Sequence, residues 1–148
     1  MPRFHLIRHA QSQNNSLRLA LGEEYSNSSR HIRPLDARKR HPDPSLTDQG
    51  QVQAAHLRTI VPSLCEGRTL VVCSPFIRAL QTIAPSLSWL TSESKIDLLC
   101  HGLIYEVGGC HHMGNAVSGL SADEISDYFP IQRHISREGW FGNRTHRE

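Results

Sequence analysis

The stretch Thr69-Leu70-Val71-Val72-Cys73-Ser74-Pro75-Phe76-Ile77-Arg78 decides the fold class that we assign to this chain. Its first five residues form a compact, β-branched run, which predicts a buried strand. Ser74 is a suitable N-cap and Pro75 suits the first helical position, so a helix is expected to begin at once. Four apolar residues then recur at helical spacing, namely Phe76, Leu80, Ile83 and Leu87, and Pro85 disturbs the end of that helix.

Two other apolar runs predict strands, at residues 4–7 and 95–100. Helices are expected at residues 12–21, behind an N-cap at Thr47 as far as a kink or end at Pro62, and behind the capping box of Ser121 and Glu124. Residues 22–45 are interpreted as a long loop insertion and residues 102–119 as a glycine- and histidine-rich loop. This alternation predicts an α/β fold with a mainly parallel, buried sheet.

Composition limits the class of protein. The chain has 148 residues, enough for one domain with a real core, and a formal net charge of +2. Five basic residues against one acidic residue lie between positions 30 and 40, without interleaved aromatic residues, so a solvated loop is favoured over nucleic-acid binding. The longest apolar run is residues 70–73, too short for a membrane span. We expect a soluble, cytoplasmic protein whose four cysteines are free thiols.

Polar side chains follow two of the predicted strands. Arg8 and His9 come directly after residues 4–7, and Arg78 lies in the first turn after residues 69–73. If these strands are neighbours, the three side chains converge at the carboxyl edge of the sheet, where ligands of such sheets bind. Two guanidinium groups match the oxygens of a phosphate, and Asn15 could add an amide donor. An imidazole there could act as a base, a metal ligand or a nucleophile, and attack on a bound phosphoryl group is the natural interpretation.

A zinc site is the competing interpretation for a second group of residues. Five cysteines and histidines lie near one another in the sequence: Cys100, His101, Cys110, His111 and His112. They lack a paired C-x₂-C, and two adjacent histidines fit poorly with the usual spacing of zinc ligands. We therefore predict neither a metal nor an organic cofactor.

Four segments of the chain form an ordered set of motifs. They are Leu6-Ile-Arg-His-Ala-Gln-Ser-Gln-Asn-Asn15, Ser45-Leu-Thr-Asp-Gln-Gly-Gln-Val-Gln-Ala54, Val72-Cys-Ser-Pro-Phe-Ile-Arg-Ala-Leu-Gln-Thr82 and Leu103-Ile-Tyr-Glu-Val-Gly108. Together they resemble the motifs of the histidine phosphatase superfamily, the phosphoglycerate mutase-like proteins. The resemblance implies a three-layer α/β/α fold and hydrolysis of phosphate monoesters through a phosphohistidine.

The same resemblance implies a role for each site residue. His9 would be the nucleophile, and Arg8, Asn15 and Arg78 would hold the phosphoryl oxygens. Glu106 would donate a proton to the leaving alcohol and later activate water. Two alternatives remain: a catalytically inactive phosphate-binding or scaffold protein of the same fold, and a phosphomutase. The substrate would be a small phosphorylated molecule, with no nucleic acid or membrane as partner.

The family's pocket normally contains a second histidine, which follows a further core strand. We expect one domain over residues 1–148 that lacks the last strand–helix unit, with residues 129–148 as the start of an incomplete C-terminal part. Such a chain would leave a sheet edge open, which could join two copies in a homo-oligomer, and we expect reduced turnover. His101 is one substitute for the second histidine, and His134 and His146 have weaker claims.

Overall fold

The structure is a computed structural model that describes residues 1–21, 40–106, 110–112, 115–129 and 132–141. The helices are α1 (Gln13–Leu21), α2 (Asp48–Leu64), α3 (Ile77–Ile83), a 3₁₀ turn (Ala84–Ser86), α4 (Leu87–Ser92) and α5 (Ala122–Ser126). The strands are β1 (Thr69–Cys73), β2 (Ile96–His101), β3 (His111–His112), β4 (Asn115–Ala116) and β5 (Gln132–Arg133).

Three strands form a parallel sheet in the order β1-β2-β5. Thr69 pairs with Ile96 and Cys73 with Cys100, and Gln132 follows beside Cys100. Parallel neighbours require crossover connections, which α3, the 3₁₀ turn and α4 supply between β1 and β2. The predicted α/β class with a parallel sheet is confirmed.

The core lies on one face of this sheet. Val71, Cys73, Leu98 and Cys100 point into a cluster that also contains Leu80, Leu90, Ile125, Phe129 and Trp140. On the other face of β1, Leu70 and Val72 are exposed. This face of β1 is therefore open among the described residues.

Helix α2 begins where the sequence predicts. The Thr47 hydroxyl accepts a hydrogen bond from the Gly50 N–H, and Asp48 lies in the first turn. Pro62 does not stop the helix, which ends at Leu64. A proline in the last turn removes one hydrogen bond close to where the helix would end anyway.

The transition from β1 to α3 differs from the prediction. Ser74 does not cap the helix: its hydroxyl is buried without a hydrogen-bond partner in the described part of the chain. The helix begins two residues beyond Pro75, at Ile77, and the Asp43 carboxylate accepts the Ile77 N–H at 3.0 Å. The cap thus comes from a residue 34 positions away, which local sequence could not indicate.

Residues 4–7 do not form the predicted strand. Phe4 and Leu6 are almost fully exposed, and the segment has no ladder of hydrogen bonds to β1. Its two ends nevertheless contact residues that come before and after β1 in the chain. Arg3 pairs with Glu66 just before the strand at 2.6 Å, and the Ala10 N–H donates to Thr82 beyond it. The segment is thus held at its two ends without pairing with β1, and Phe4 and Leu6 stay exposed.

Three other regions complete the comparison with the sequence. The capping box of Ser121 and Glu124 is present at α5. Residues 102–119, interpreted as a loop, contain the short antiparallel pair of β3 and β4, and β5 was not predicted. The predicted insertion falls largely on residues 22–39, and the end of the C-terminal part on residues 142–148, both outside the described residues. Within the described residues, no helix has the length and apolar character needed to cross a membrane.

Candidate active site

Arg78 occupies the centre of the candidate site. Its side chain is buried although it is charged, and its guanidinium lies 3.7 Å from the centre of the Phe76 ring. Arg78 Nη2 donates to Glu106 Oε2 at 2.9 Å, while the Glu106 carboxylate itself is exposed. Burial lowers the pKa of Arg78, and the neighbouring Glu106 and Asp43 raise it. Arg78 is thus a buried cation that can bind an anion, and the two neighbouring carboxyl groups already balance part of its charge.

His9 is half-buried, and its ring is oriented by the backbone. Nδ1 lies 2.7 Å from the carbonyl oxygen of Ala10. A carbonyl oxygen only accepts, so Nδ1 carries the hydrogen and the lone pair of the neutral ring is on Nε2. Burial, Arg78 and Arg8 lower the pKa of His9 below its ordinary value, against the opposing effects of Ala10 and Glu106. The ring is therefore neutral at pH 7, with a nucleophilic nitrogen available.

One hydroxyl group links the His9 segment to the Arg78 helix. Thr82 Oγ1 accepts the Ala10 N–H at 3.0 Å and donates to the Arg78 carbonyl at 2.6 Å. Thr82 is buried, so these bonds are protected from water. The relative positions of His9 and Arg78 are set by this link rather than by pairing between two strands.

The start of α2 holds the other side of the same segment. Thr47 N donates to the Gln11 carbonyl at 3.0 Å, and the Gln11 N–H donates to the Gln53 side chain. A Cβ at Gly50 would lie 2.2 Å from the Gln11 oxygen, so only glycine allows this approach. The motif that begins at Ser45 therefore acts as a clamp on the residues that follow His9.

Arg8 and Asn15 are the remaining predicted phosphate-binding residues. Arg8 is exposed, and its charge still lowers the pKa of His9. Asn15 Oδ1 accepts from the N–H of Ser12 at 3.1 Å and from its hydroxyl at 3.0 Å, while the Ser12 hydroxyl faces the Asn15 N–H at 3.4 Å, so Ser12 caps α1 and Asn15 completes the reciprocal contact. The structure thus brings Arg8, Arg78 and Glu106 within electrostatic range of His9, and gives Asn15 a supporting role in the cap of α1 that the sequence did not suggest.

A family model identifies the protein family to which this chain belongs. The model described as the histidine phosphatase superfamily (branch 1) matches residues 4–98, well over half of the chain. The chain belongs to the histidine phosphatase superfamily. Comparison with curated proteins returns no match. Membership supports a phosphatase- or mutase-type function in general, and the match includes His9 and Arg78 but ends before Glu106.

Asp43 is a residue of this superfamily member that the sequence analysis missed. Its carboxylate lies at the start of α3, and its pKa is raised to about 6, chiefly by burial. The Ile77 N–H, Arg78, Cys110 and the indole N–H of Trp140 oppose that rise. The Trp140 N–H makes no hydrogen bond of good geometry among the described residues, although it faces Asp43 closely enough to oppose the rise of that pKa. A lone Asp in a loop carries no local signal, and only the fold brings it to Arg78.

Two of the remaining histidines contact each other in this superfamily member. The His101 and His134 rings are 4.9 Å apart where β2 and β5 end, and His101 Nδ1 accepts the Leu103 N–H. His146 lies outside the described residues. Among the described residues no group of three or more His, Cys, Asp or Glu side chains could hold a metal ion. Trp140 is buried in the core.

Proposed function

We propose that this chain hydrolyses phosphate monoesters through a phosphohistidine formed on His9. The observation that carries the proposal is the 2.7 Å contact between His9 Nδ1 and the Ala10 carbonyl. This contact fixes the tautomer in which Nε2 is the nucleophile. The Thr82 hydroxyl links the residue after His9 to the carbonyl of Arg78, and the charge of Arg78 lowers the pKa of the same imidazole, which supports a phosphoryl site shared by the two side chains.

In the first step the phosphoryl dianion binds to Arg78, with Arg8 at the exposed side. Forked guanidinium donors match its oxygens and neutralise charge that accumulates in the transition state. His9 Nε2 attacks phosphorus while the P–O bond to the alcohol breaks. The bound phosphoryl group displaces Glu106 from Arg78, the exposed carboxylate takes up a proton from solvent, and it gives this proton to the developing alkoxide.

In the second step a water molecule replaces the alcohol. Glu106, now a carboxylate, accepts a proton from that water as its oxygen attacks phosphorus. The P–N bond breaks, inorganic phosphate leaves, and His9 returns to the neutral ring with Nδ1 still bonded to Ala10. Glu106 is suited to both steps because its side chain reaches solvent and Arg78 at once.

Trapping of the phosphoenzyme tests the proposal. The chain is mixed with a ³²P-labelled small phosphate monoester and quenched in alkali, where a phosphohistidine survives, or in acid, where it is lost. We expect alkali-stable label in the wild type and none in His9→Asn. His56→Asn is the matched control, because His56 is exposed on α2. Label that persists in His9→Asn, or no label and no phosphate release from any ester, would refute the proposed activity.

A second candidate is a protein that binds phosphate groups without turning them over. The observation that favours it is the ion pair of Glu106 with Arg78, since the proposed acid occupies the guanidinium that must bind the substrate. Saturable binding of a phosphate ester with no label on His9 would select this alternative.

A phosphomutase would share the first step and differ in the acceptor of the phosphoryl group. We favour water as the acceptor because no dedicated loop for rebinding a phosphorylated product is evident in the described residues. Release of inorganic phosphate in step with alcohol, without exchange of label between alcohols, distinguishes the two reactions. The proposed location is the cytoplasm, because all four cysteines are free thiols and a reducing compartment keeps them so.

A further inference from the structure

Asp43 joins three parts of the chain at the buried side of Arg78. Its Oδ1 accepts the N–H of Ile77, the first residue of α3, at 3.0 Å. Its Oδ2 faces the Cys110 thiol, with Sγ at 3.8 Å. Arg78 follows Ile77 directly, and its pKa is raised by the charge of Asp43. The carboxylate thus contacts the helix start that carries Arg78 and the chain that returns after Glu106.

We infer that Asp43 is the positioning residue of Arg78, and that it takes up a proton when an anion binds to that guanidinium. Asp43 acts through Arg78 and does not touch the phosphoryl group. The inference rests on the proposed function for the location of the anion site, and goes beyond it by coupling that site to a proton on a second carboxyl group.

The positioning part follows from the hydrogen bonds. Helix α3 has no cap from its own N-cap residue, Phe76, and Ser74 makes no cap either. The Asp43 carboxylate replaces both by accepting the Ile77 N–H. Without it, the first turn of α3 loses a charge-assisted hydrogen bond, and Arg78 lies in that turn.

The proton-uptake part follows from the charges around Asp43. The groups that face it are Arg78 and the Ile77 N–H from α3, the Cys110 thiol, and the Trp140 indole. Burial raises the pKa of the Cys110 thiol, so that group is neutral, whereas Arg78 is a cation that favours the Asp43 carboxylate. Asp43 titrates at about pH 6 in this setting. A dianion on Arg78 adds negative charge nearby, which favours the protonated carboxyl.

Two substitutions separate the two parts. Asp43→Asn keeps an oxygen that can accept the Ile77 N–H and removes the titratable charge. Asp43→Ala removes both. Asp97→Asn is the matched control, because Asp97 is exposed on β2, in the half of the strand away from the site, and has only an exposed 3.5 Å contact with Arg68.

Sulfate is the probe, because it stays a dianion from pH 5 to 8 and its binding does not require turnover. Calorimetric titrations at pH 6.5 in buffers of different ionisation enthalpy measure the protons taken up. If the bound anion favours protonated Asp43 tenfold, about half a proton is taken up at pH 6.5. The same linkage makes sulfate bind about sixfold more tightly at pH 5.5 than at pH 7.5.

The three variants have distinct expected results. Asp97→Asn matches the wild type. Asp43→Asn binds sulfate with at least wild-type affinity and takes up fewer protons on binding than the wild type does. The pH dependence that remains in Asp43→Asn belongs to His9, and it disappears in the double variant Asp43→Asn/His9→Asn. Asp43→Ala binds about tenfold more weakly than Asp43→Asn at both pH values.

Equal proton uptake in the wild type and Asp43→Asn overturns the coupling. Equal affinity of Asp43→Ala and Asp43→Asn overturns the positioning role, provided that both variants show the wild-type circular dichroism spectrum. A wild type that binds no sulfate overturns the inference as a whole. The proposed function is tested separately by label on His9: sulfate binding with proton uptake but no phosphohistidine leaves this inference standing and removes the hydrolase.

Discussion

Two segments of the chain have similar sequence patterns but fold differently. Residues 69–78 and residues 4–10 each contain a short apolar run that is followed by an arginine of the candidate site. In the first segment β1 pairs with β2 over its whole length, and Arg78 is buried. In the second, Phe4 and Leu6 are exposed, no ladder forms, and Arg8 is exposed as well.

The difference shows that an apolar run makes a strand only where a neighbour and a cover are available. Val71 and Cys73 of β1 pack against the helices on the core face, whereas the described residues offer nothing to bury residues 4–7. Position is nevertheless preserved in both segments, because the Arg3–Glu66 pair and the Ala10–Thr82 hydrogen bond fix the ends of the unpaired one. Site residues can thus be placed by anchors alone.

The largest expected effect is on the two arginines of this comparison. Arg78→Ala should lower kcat/KM on a phosphate monoester by about 1,000-fold, because a buried, oriented donor is lost. Arg8→Ala should lower it by about tenfold, because exposed charges are screened by water. Steady-state kinetics with Arg58→Ala, on the exposed side of α2, as control check both. Equal losses for Arg8 and Arg78 would contradict the difference in burial.

The second effect is on stability. Leu80→Ala, in the core face of α3, should lower the free energy of unfolding by about 3 kcal/mol through lost burial and a cavity. Leu6→Ala should leave it unchanged, because Leu6 is exposed. Urea denaturation followed by circular dichroism measures both. A clear destabilisation by Leu6→Ala would mean that residues 4–7 are buried in solution.

The third effect concerns the charge of His9. Its pKa is depressed, so the neutral ring should persist below pH 6.5, and NMR titration of the ring nitrogens should also report hydrogen on Nδ1. The folded state then binds fewer protons than the unfolded state near pH 6, so stability is lost as the pH falls. Arg78→Ala and Arg8→Ala should each raise the pKa of His9. An unchanged value in both variants would place the arginines out of range.

The smallest effect separates two roles of Asn15. Asn15→Ala removes the side-chain oxygen that accepts the Ser12 N–H at the start of α1 and should lower the free energy of unfolding by about 1 kcal/mol. Asn15→Asp keeps the accepting oxygen and should recover that stability. If the amide also contacts the anion, sulfate binding stays several-fold weaker in Asn15→Asp. Recovery of both properties by Asn15→Asp would make Asn15 a capping residue alone.

Much of the secondary structure could be predicted from the sequence because its signals are local. Thr47 and the Ser121 capping box are read from a few adjacent residues, and β1 and β2 from apolar runs of strand length. The prediction of a strand at residues 4–7 was wrong because strand pairing depends on a partner, which a run of residues does not specify. The N-cap at Ser74 was wrong because a distant carboxylate, Asp43, takes that place.

The sequence by itself determined the class of the fold, the family motifs and the candidate residues for phosphoryl binding and attack, because these depend on residue types and short spacings. Only the tertiary structure decided which arginine is buried, which nitrogen of His9 is free and which second carboxyl group faces Arg78. Those properties depend on burial and on hydrogen bonds between segments such as Ala10 and Thr82, 72 residues apart. Such contacts form only when the chain has folded.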